Sequence, residues 1–205
     1  VDDNCVTVSS LAFNVLGTSC TTGATDLIIS EYYEGAGNDK AIEIANFTGS
    51  PISLSGYSID TYTNGSATPV GSMALTPGIL PNNSVYILAH SSANSSILAL
   101  AQQTTAFGWF NGNDAVVLQK SGVIKDIFGN IGCDPGTDWT DGGMTTKDVD
   151  LVRNASVING ITTDNSTSCP FPTLPTEWTA YDYSDLSHLG NHTSNYNTSP
   201  PIIST

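Results

Sequence analysis

Cations are almost missing from this chain. Lys40, Lys120, Lys125, Lys147 and Arg153 stand against 19 carboxylates in 205 residues, for a net charge of −14. Proteins that bind nucleic acid neutralise phosphates with clustered Lys and Arg, and no such cluster exists here, so nucleic acid and anionic membrane are disfavoured partners. An acidic excess of this kind keeps a protein dispersed or recruits cations. No run of 18 apolar residues occurs, which leaves no membrane-spanning helix to expect. Cys-x-x-Cys spacing is absent, and with it the usual zinc and redox signatures. There is no Gly-x-Ser-x-Gly elbow for a serine nucleophile, and no internal repeat. Charged residues make up only 12% of the chain, about half the usual share. Ser, Thr, Asn and Gly take over the polar role.

What is present is a series of short apolar runs between turn residues. Leu27–Tyr33, Ala41–Ala45, Tyr57–Ile59, Met73–Leu75, Val85–Ala89, Ala115–Leu118 and Val123–Phe128 read as strands. Each is bounded by Gly, Pro, Asn or Ser, the spacing of a sandwich. Lys120-Ser-Gly-Val123 fits a tight hairpin. Only Ser95–Gln103 reads as helical, with Asn94 or Ser95 placed to cap it. From Asn154 to Pro175 the chain is polar and Pro-rich, as a long surface loop would be. A length of 205 residues suits one all-β domain.

Five blocks occur in an order that resembles the lamin-tail domain of secreted microbial proteins. They are Asp26–Asn46, Leu54-Ser-Gly-Tyr-Ser-Ile59, Phe110-Asn-Gly-Asn-Asp-Ala-Val-Val-Leu118, Asp134-Pro-Gly-Thr-Asp-Trp139 and Leu189-Gly-Asn-His-Thr193. The resemblance spans residues 26–193, about four-fifths of the chain. It implies an immunoglobulin-like β-sandwich that serves as a scaffold or binding module without catalytic residues. Trp178, in Glu-Trp-Thr-Ala-Tyr, matches the penultimate strand of that family and is assigned to the core. Residues 1–25 are an N-terminal extension, in which Val6, Val8, Leu11, Phe13 and Val15 alternate imperfectly with polar residues, as an assembly strand would. Residues 194–205 read as a C-terminal tail.

The chain begins at Val1 without an initiator Met or an apolar leader, which gives the expectation of a signal peptide already removed. Four cysteines in an exported chain imply two disulfides with three connectivities. Their positions suggest Cys5–Cys20 and Cys133–Cys169. Eight sequons, at Asn46, Asn64, Asn82, Asn94, Asn154, Asn165, Asn191 and Asn197, are about twice what composition alone yields. Most fall in expected turns, where an attached sugar has room.

Several side-chain constellations invite a chemical reading. Glu31 and Glu43 lie on adjacent expected strands, but glycoside hydrolysis needs carboxyls facing across a cleft about 5–9 Å wide. The alternation of Glu43 with Ile42 and Ile44 places it on a solvent face, so catalysis is not expected there. Asp185 with His188 lacks a nucleophile elbow, and Gly190 argues against a helix putting His188 and His192 on one metal. No metal site is assigned. Calcium is the one cofactor the acidic loops suggest, through Glu34, Asn38 and Asp39, Asn113 with Asp114, and Asp134 with Asp138. Trp109, Phe110, Trp139, Tyr181 and Tyr183 read as core or end-cap residues ahead of a sugar-stacking platform. The expectation is a secreted, glycosylated, non-enzymatic structural protein that self-assembles into an extracellular filament, sheath or surface layer. The alternative is a non-catalytic adhesion module binding carbohydrate or a surface protein.

Overall fold

A computed structural model describes residues 23–106, 109–163 and 169–195. In chain order the elements are β1 (Ile28–Glu34), β2 (Lys40–Asn46), β3 (Ile52–Ser53), β4 (Tyr57–Tyr62), β5 (Gly71–Ala74), β6 (Ile79–Leu80), β7 (Ser84–His90), α1 (Ser95–Leu100), β8 (Gln103–Thr105), β9 (Ala115–Lys120), β10 (Val123–Phe128), β11 (Thr140–Asp141), β12 (Met144–Thr145), β13 (Val149–Arg153), α2 (Leu174–Glu177) and β14 (Trp178–Tyr181). A six-stranded sheet of order β14-β13-β1-β2-β7-β8 faces a four-stranded sheet of order β10-β9-β4-β5. Neighbours are antiparallel except β7 and β8. The all-β, immunoglobulin-like sandwich is therefore what forms. The expectation of one helix needs correcting, since the single turn α2 follows the long polar loop, with a proline in its first turn where the missing N–H costs nothing.

Side chains alternate across each strand, and the inward set makes the core. Tyr32 stacks on Phe128 with ring centroids 3.9 Å apart and leans on Phe110 at 4.4 Å. Phe128 also meets Phe171 and Trp178 edge-on. Such ring pairs contribute roughly 0.5–1.5 kcal/mol each beyond the area they bury. Trp178 is in the core as expected, and Trp139 and Phe110 join it. Tyr181 is exposed instead.

The turns obey their residues. Ser121 and Gly122 have φ of 50° and 81°, the double positive φ of a type I′ hairpin between β9 and β10. Asn94 caps α1, its side-chain oxygen accepting from the N–H groups of Ser96 and Ile97, and the helix stops at Leu100, shorter than the sequence pattern suggested. Gly160 is fixed by close approach. A Cβ there would sit 2.6 Å from the Asp126 Cβ and collide with the Lys125 carbonyl oxygen. Cys133 and Cys169 are bonded, with Cα atoms 5.3 Å apart, and fasten the polar loop to the core. Cys5, Cys20 and the alternating Val6, Val8, Leu11, Phe13 and Val15 lie outside the described residues, as do Asn165 and Asn197.

Both described ends of the chain meet at one pole. The Ala24 N–H donates to the Phe47 carbonyl at 3.2 Å, and the Asn195 N–H donates to that of Ala155 at 2.8 Å. The Thr25 N–H donates to Asn159 Oδ1 at 3.0 Å, and the His192 ring lies 5.7 Å from that of Phe47.

Candidate functional site

The outer face of the six-stranded sheet carries the most unusual chemistry. The β1 and β2 register sets Glu31 directly opposite Glu43, and β13 adds Asp150 across from Tyr33. All three carboxyls are buried. The expectation of a solvent-facing Glu43 is overturned. Glu43 does alternate with Ile42 and Ile44, but the second face of these central strands is covered too. Helix α1 lays Ile97 over Ala41, Ile87 and Ala89, and residues 182–192 add Leu186 and Leu189 to the same cluster.

That C-terminal strap is held by polar contacts. The Gly190 N–H donates to Glu43 Oε2 at 2.6 Å, while the Ser30 hydroxyl donates to Oε1 at 2.6 Å. The Tyr33 hydroxyl donates to the Tyr183 carbonyl. His188 Nδ1 lies 3.4 Å from Asp150 Oδ2, and its ring stacks on Tyr181 at 3.8 Å. Neither oxygen of Glu31 meets a donor, and its charged neighbours are the Asp150 and Glu43 carboxyls. Burial, reinforced by those like charges, pushes Glu31 up to about 11. Burial also raises Glu43 to about 7, against the lowering effect of the Ser30 and Gly190 donors. It raises Asp150 to about 6. His192, desolvated beside Phe47, is lowered to about 4.

This arrangement has the charges of a carboxyl-pair enzyme without its access. A substrate would have to displace the strap before it met any of the three acids. Asp185 is spent in a local turn, accepting from the Ser187 N–H at 2.9 Å. His188 and His192 face different neighbours, Tyr181 and Phe47.

The acidic loops suggested for calcium serve as clasps. Glu34 pairs with Lys40 and accepts from the Asp148 N–H. Asp39 accepts from the backbone and side-chain N–H groups of Asn94 at 2.7 and 2.8 Å. Asp114 accepts from the N–H groups of Asn64 and Asn111. Asp134 accepts from the Gly136 N–H and from Asn113, and Asp138 from the Thr145 hydroxyl. Asn38 is exposed. Among the described residues no group of three or more His, Cys, Asp or Glu is arranged to hold a metal ion. No helix among them is long and apolar enough to cross a membrane.

The sequons divide by accessibility. Asn64, Asn94 and Asn191 are exposed, and Asn82 and Asn154 are half-buried. Asn46 is wholly buried, contrary to the expectation of an open turn. Its amide donates to the carbonyls of Ser50 and Leu80, both at 2.9 Å. A glycan on that nitrogen has no room in this fold.

Sequence reasoning missed the covered acid patch because its roof, residues 182–192, is remote from β1 and β2. The one local signal was an acid on each of two otherwise apolar neighbouring strands. A family model, the Lamin Tail Domain, matches residues 21–132, more than half of the chain. No curated protein and no solved structure matches. The matched stretch holds β1 through β10, and β13 and β14 complete the larger sheet beyond it. The chain belongs to the lamin tail domain family, an immunoglobulin-like and non-catalytic one.

Proposed function

We propose that this protein is a secreted, glycosylated, non-enzymatic structural subunit that self-assembles into an extracellular filament, sheath or surface layer. The observation that carries the reading is the open edge at β14. Among the described residues this strand pairs only with β13, and its Thr179, Ala180 and Tyr181 are exposed. It starts at the same pole where Ala24 and Thr25 join the sandwich, and the alternating apolar sequence from Val6 to Val15 precedes those residues. Main-chain hydrogen bonds across such an edge supply affinity, and alternate side chains supply register. A head-to-tail contact of this kind grows into filaments unless its rotation closes a ring. The Cys133–Cys169 bond and the accessible sequons support an extracellular setting.

Removing residues 1–20 and, separately, replacing Ala180 with Pro test the reading. Each variant is expected to stay folded and to sediment as a monomer under conditions where the full chain forms larger particles. Unchanged particle size in both would overturn strand addition at β14. A monomeric full chain that binds glycans would favour an adhesion module, a reading to which the exposed Tyr181 lends a stacking surface.

A further inference from the structure

The patch beneath the strap contains too few donors for its acceptors. Neither carboxyl oxygen of Glu31 has a hydrogen-bond partner, and Asp150 has only His188 Nδ1 beside it, 3.4 Å from Oδ2, although both acids are buried. A buried acceptor without a donor costs roughly 1–3 kcal/mol, and more when charged. The elements around the patch offer little relief. From the sheet come Glu31, Tyr33, Glu43, Asp150 and the Tyr181 ring, and Tyr33 already donates to Tyr183. Helix α1, Ser-Ser-Ile-Leu-Ala-Leu, brings no ionisable group. The strap brings Tyr183, Asp185, His188 and His192, of which His188 comes within 3.4 Å of Asp150 and Asp185 adds further negative charge to it. Asp39 lies towards Tyr33 and adds negative charge. The cations nearest in sequence are committed elsewhere, Lys40 to Glu34 and Arg153 to Asp126 and Glu177. The donor this patch lacks is a proton.

We propose that Glu31 and Asp150 hold a proton between them that keeps residues 182–192 on the sheet, and that its loss to solvent releases the strap and uncovers the outer face. The strap is the element that yields because it is tied down by few contacts. Leu189 is its one fully buried side chain, and the Gly190 N–H to Glu43 bond is its central polar link. Lifting it hydrates all three acids at once, whereas β1, β2 and β13 are locked into the sheet ladder. The raised positions of Glu31, Glu43 and Asp150 agree in direction. Acids raised by folding stabilise the closed state most fully below their ordinary range and lose that contribution as pH rises through the folded values. The strap is thus expected to be closed in mildly acidic medium and looser in alkaline medium. What opens is the apolar surface around Ile87, which the Gly190 backbone of the strap approaches.

Amide hydrogen exchange on the full chain tests this, read by mass spectrometry from pH 5.5 to 9 and corrected for intrinsic exchange. Amides of residues 186–192 are compared with those of 116–118 in β9. Opening that releases one proton becomes about tenfold more favourable per pH unit, so strap protection should fall at least tenfold across the range relative to β9. Glu31→Gln places a permanent N–H donor in the patch and should hold the strap protected at pH 9. Strap protection that does not change with pH relative to β9 in the unaltered chain would overturn the proposal. So would a Glu31→Gln chain whose strap loosens as the unaltered one does. If that variant does not fold, Asp150→Asn supplies the donor from the other side, and the same two outcomes decide.

Discussion

Arg153 reaches from β13 to Asp126 on β10, Nη1 to Oδ2 at 2.6 Å, so a buried ion pair ties the two sheets together near the pole where the chain ends meet. Asp126 also accepts from the N–H groups of Ile29 and Ile161, both at 2.8 Å. Arg153 extends the link to Glu177 and lies over the Trp178 ring at 4.9 Å. One carboxylate thereby fixes β1, β10, β13 and the return of the long polar loop.

Removing one partner of such a pair leaves a buried charge uncompensated. Asp126→Ala is expected to cost about 3–5 kcal/mol, read as a lowered urea midpoint. A loss below about 1 kcal/mol would mean that the pair does not hold the sheets.

Gly160 is the backbone's counterpart to that link, because Asp126 and the Lys125 carbonyl fill the place of its side chain. Gly160→Ala should therefore destabilise by about 1–3 kcal/mol, the usual range for overpacking. An Ala variant as stable as the unaltered chain would show that the loop yields freely there.

The Cys133–Cys169 bond closes a loop with a sequence separation of 36. On the chain-entropy account that loop is worth about 4 kcal/mol. A Cys133→Ser, Cys169→Ser double variant should unfold at markedly lower denaturant while keeping its β-sheet signature. An unchanged midpoint would show that the bond adds nothing.

These cross-links explain which parts of the fold could be read in the sequence. Strands β1, β2, β4, β7, β9 and β10 announce themselves by alternation and by bounding turn residues, and the Ser121-Gly122 turn by its chemistry. Strand β13 does not, because Asp150 and Arg153 look like surface residues until their partners are seen. The same holds for Glu43 and Asn46. Alternation tells which residues share a face, but not whether a remote segment covers that face. Here residues 182–192 cover Glu43 with its acidic neighbours, and the Ser50 and Leu80 carbonyls absorb the Asn46 amide.

Glycopeptide mapping of native protein is expected to find sugar among Asn64, Asn82, Asn94, Asn154 and Asn191, and none on Asn46. An intact mass equal to the bare 21.4 kDa polypeptide would remove glycosylation from the proposal. An occupied Asn46 would contradict the buried position of its amide.

His192 gives a pH dependence of opposite sign to that of the acids. Burial lowers it from 6.5 to about 4, so its contribution is fully present above 6.5 and is lost as pH falls towards 4. Between those limits a His192→Phe variant should gain on the unaltered chain by up to about 3 kcal/mol, measured as the difference in urea midpoints at pH 6.5 and pH 4. No relative gain would place His192 in water.

Assembly is tested most directly by the mass of the particle that the full chain forms. Light scattering coupled to size separation, on protein purified without denaturation, is expected to give species many times 21.4 kDa, growing with concentration and reduced to one subunit by removal of residues 1–20. A single species of one-subunit mass across the whole concentration range would contradict the account.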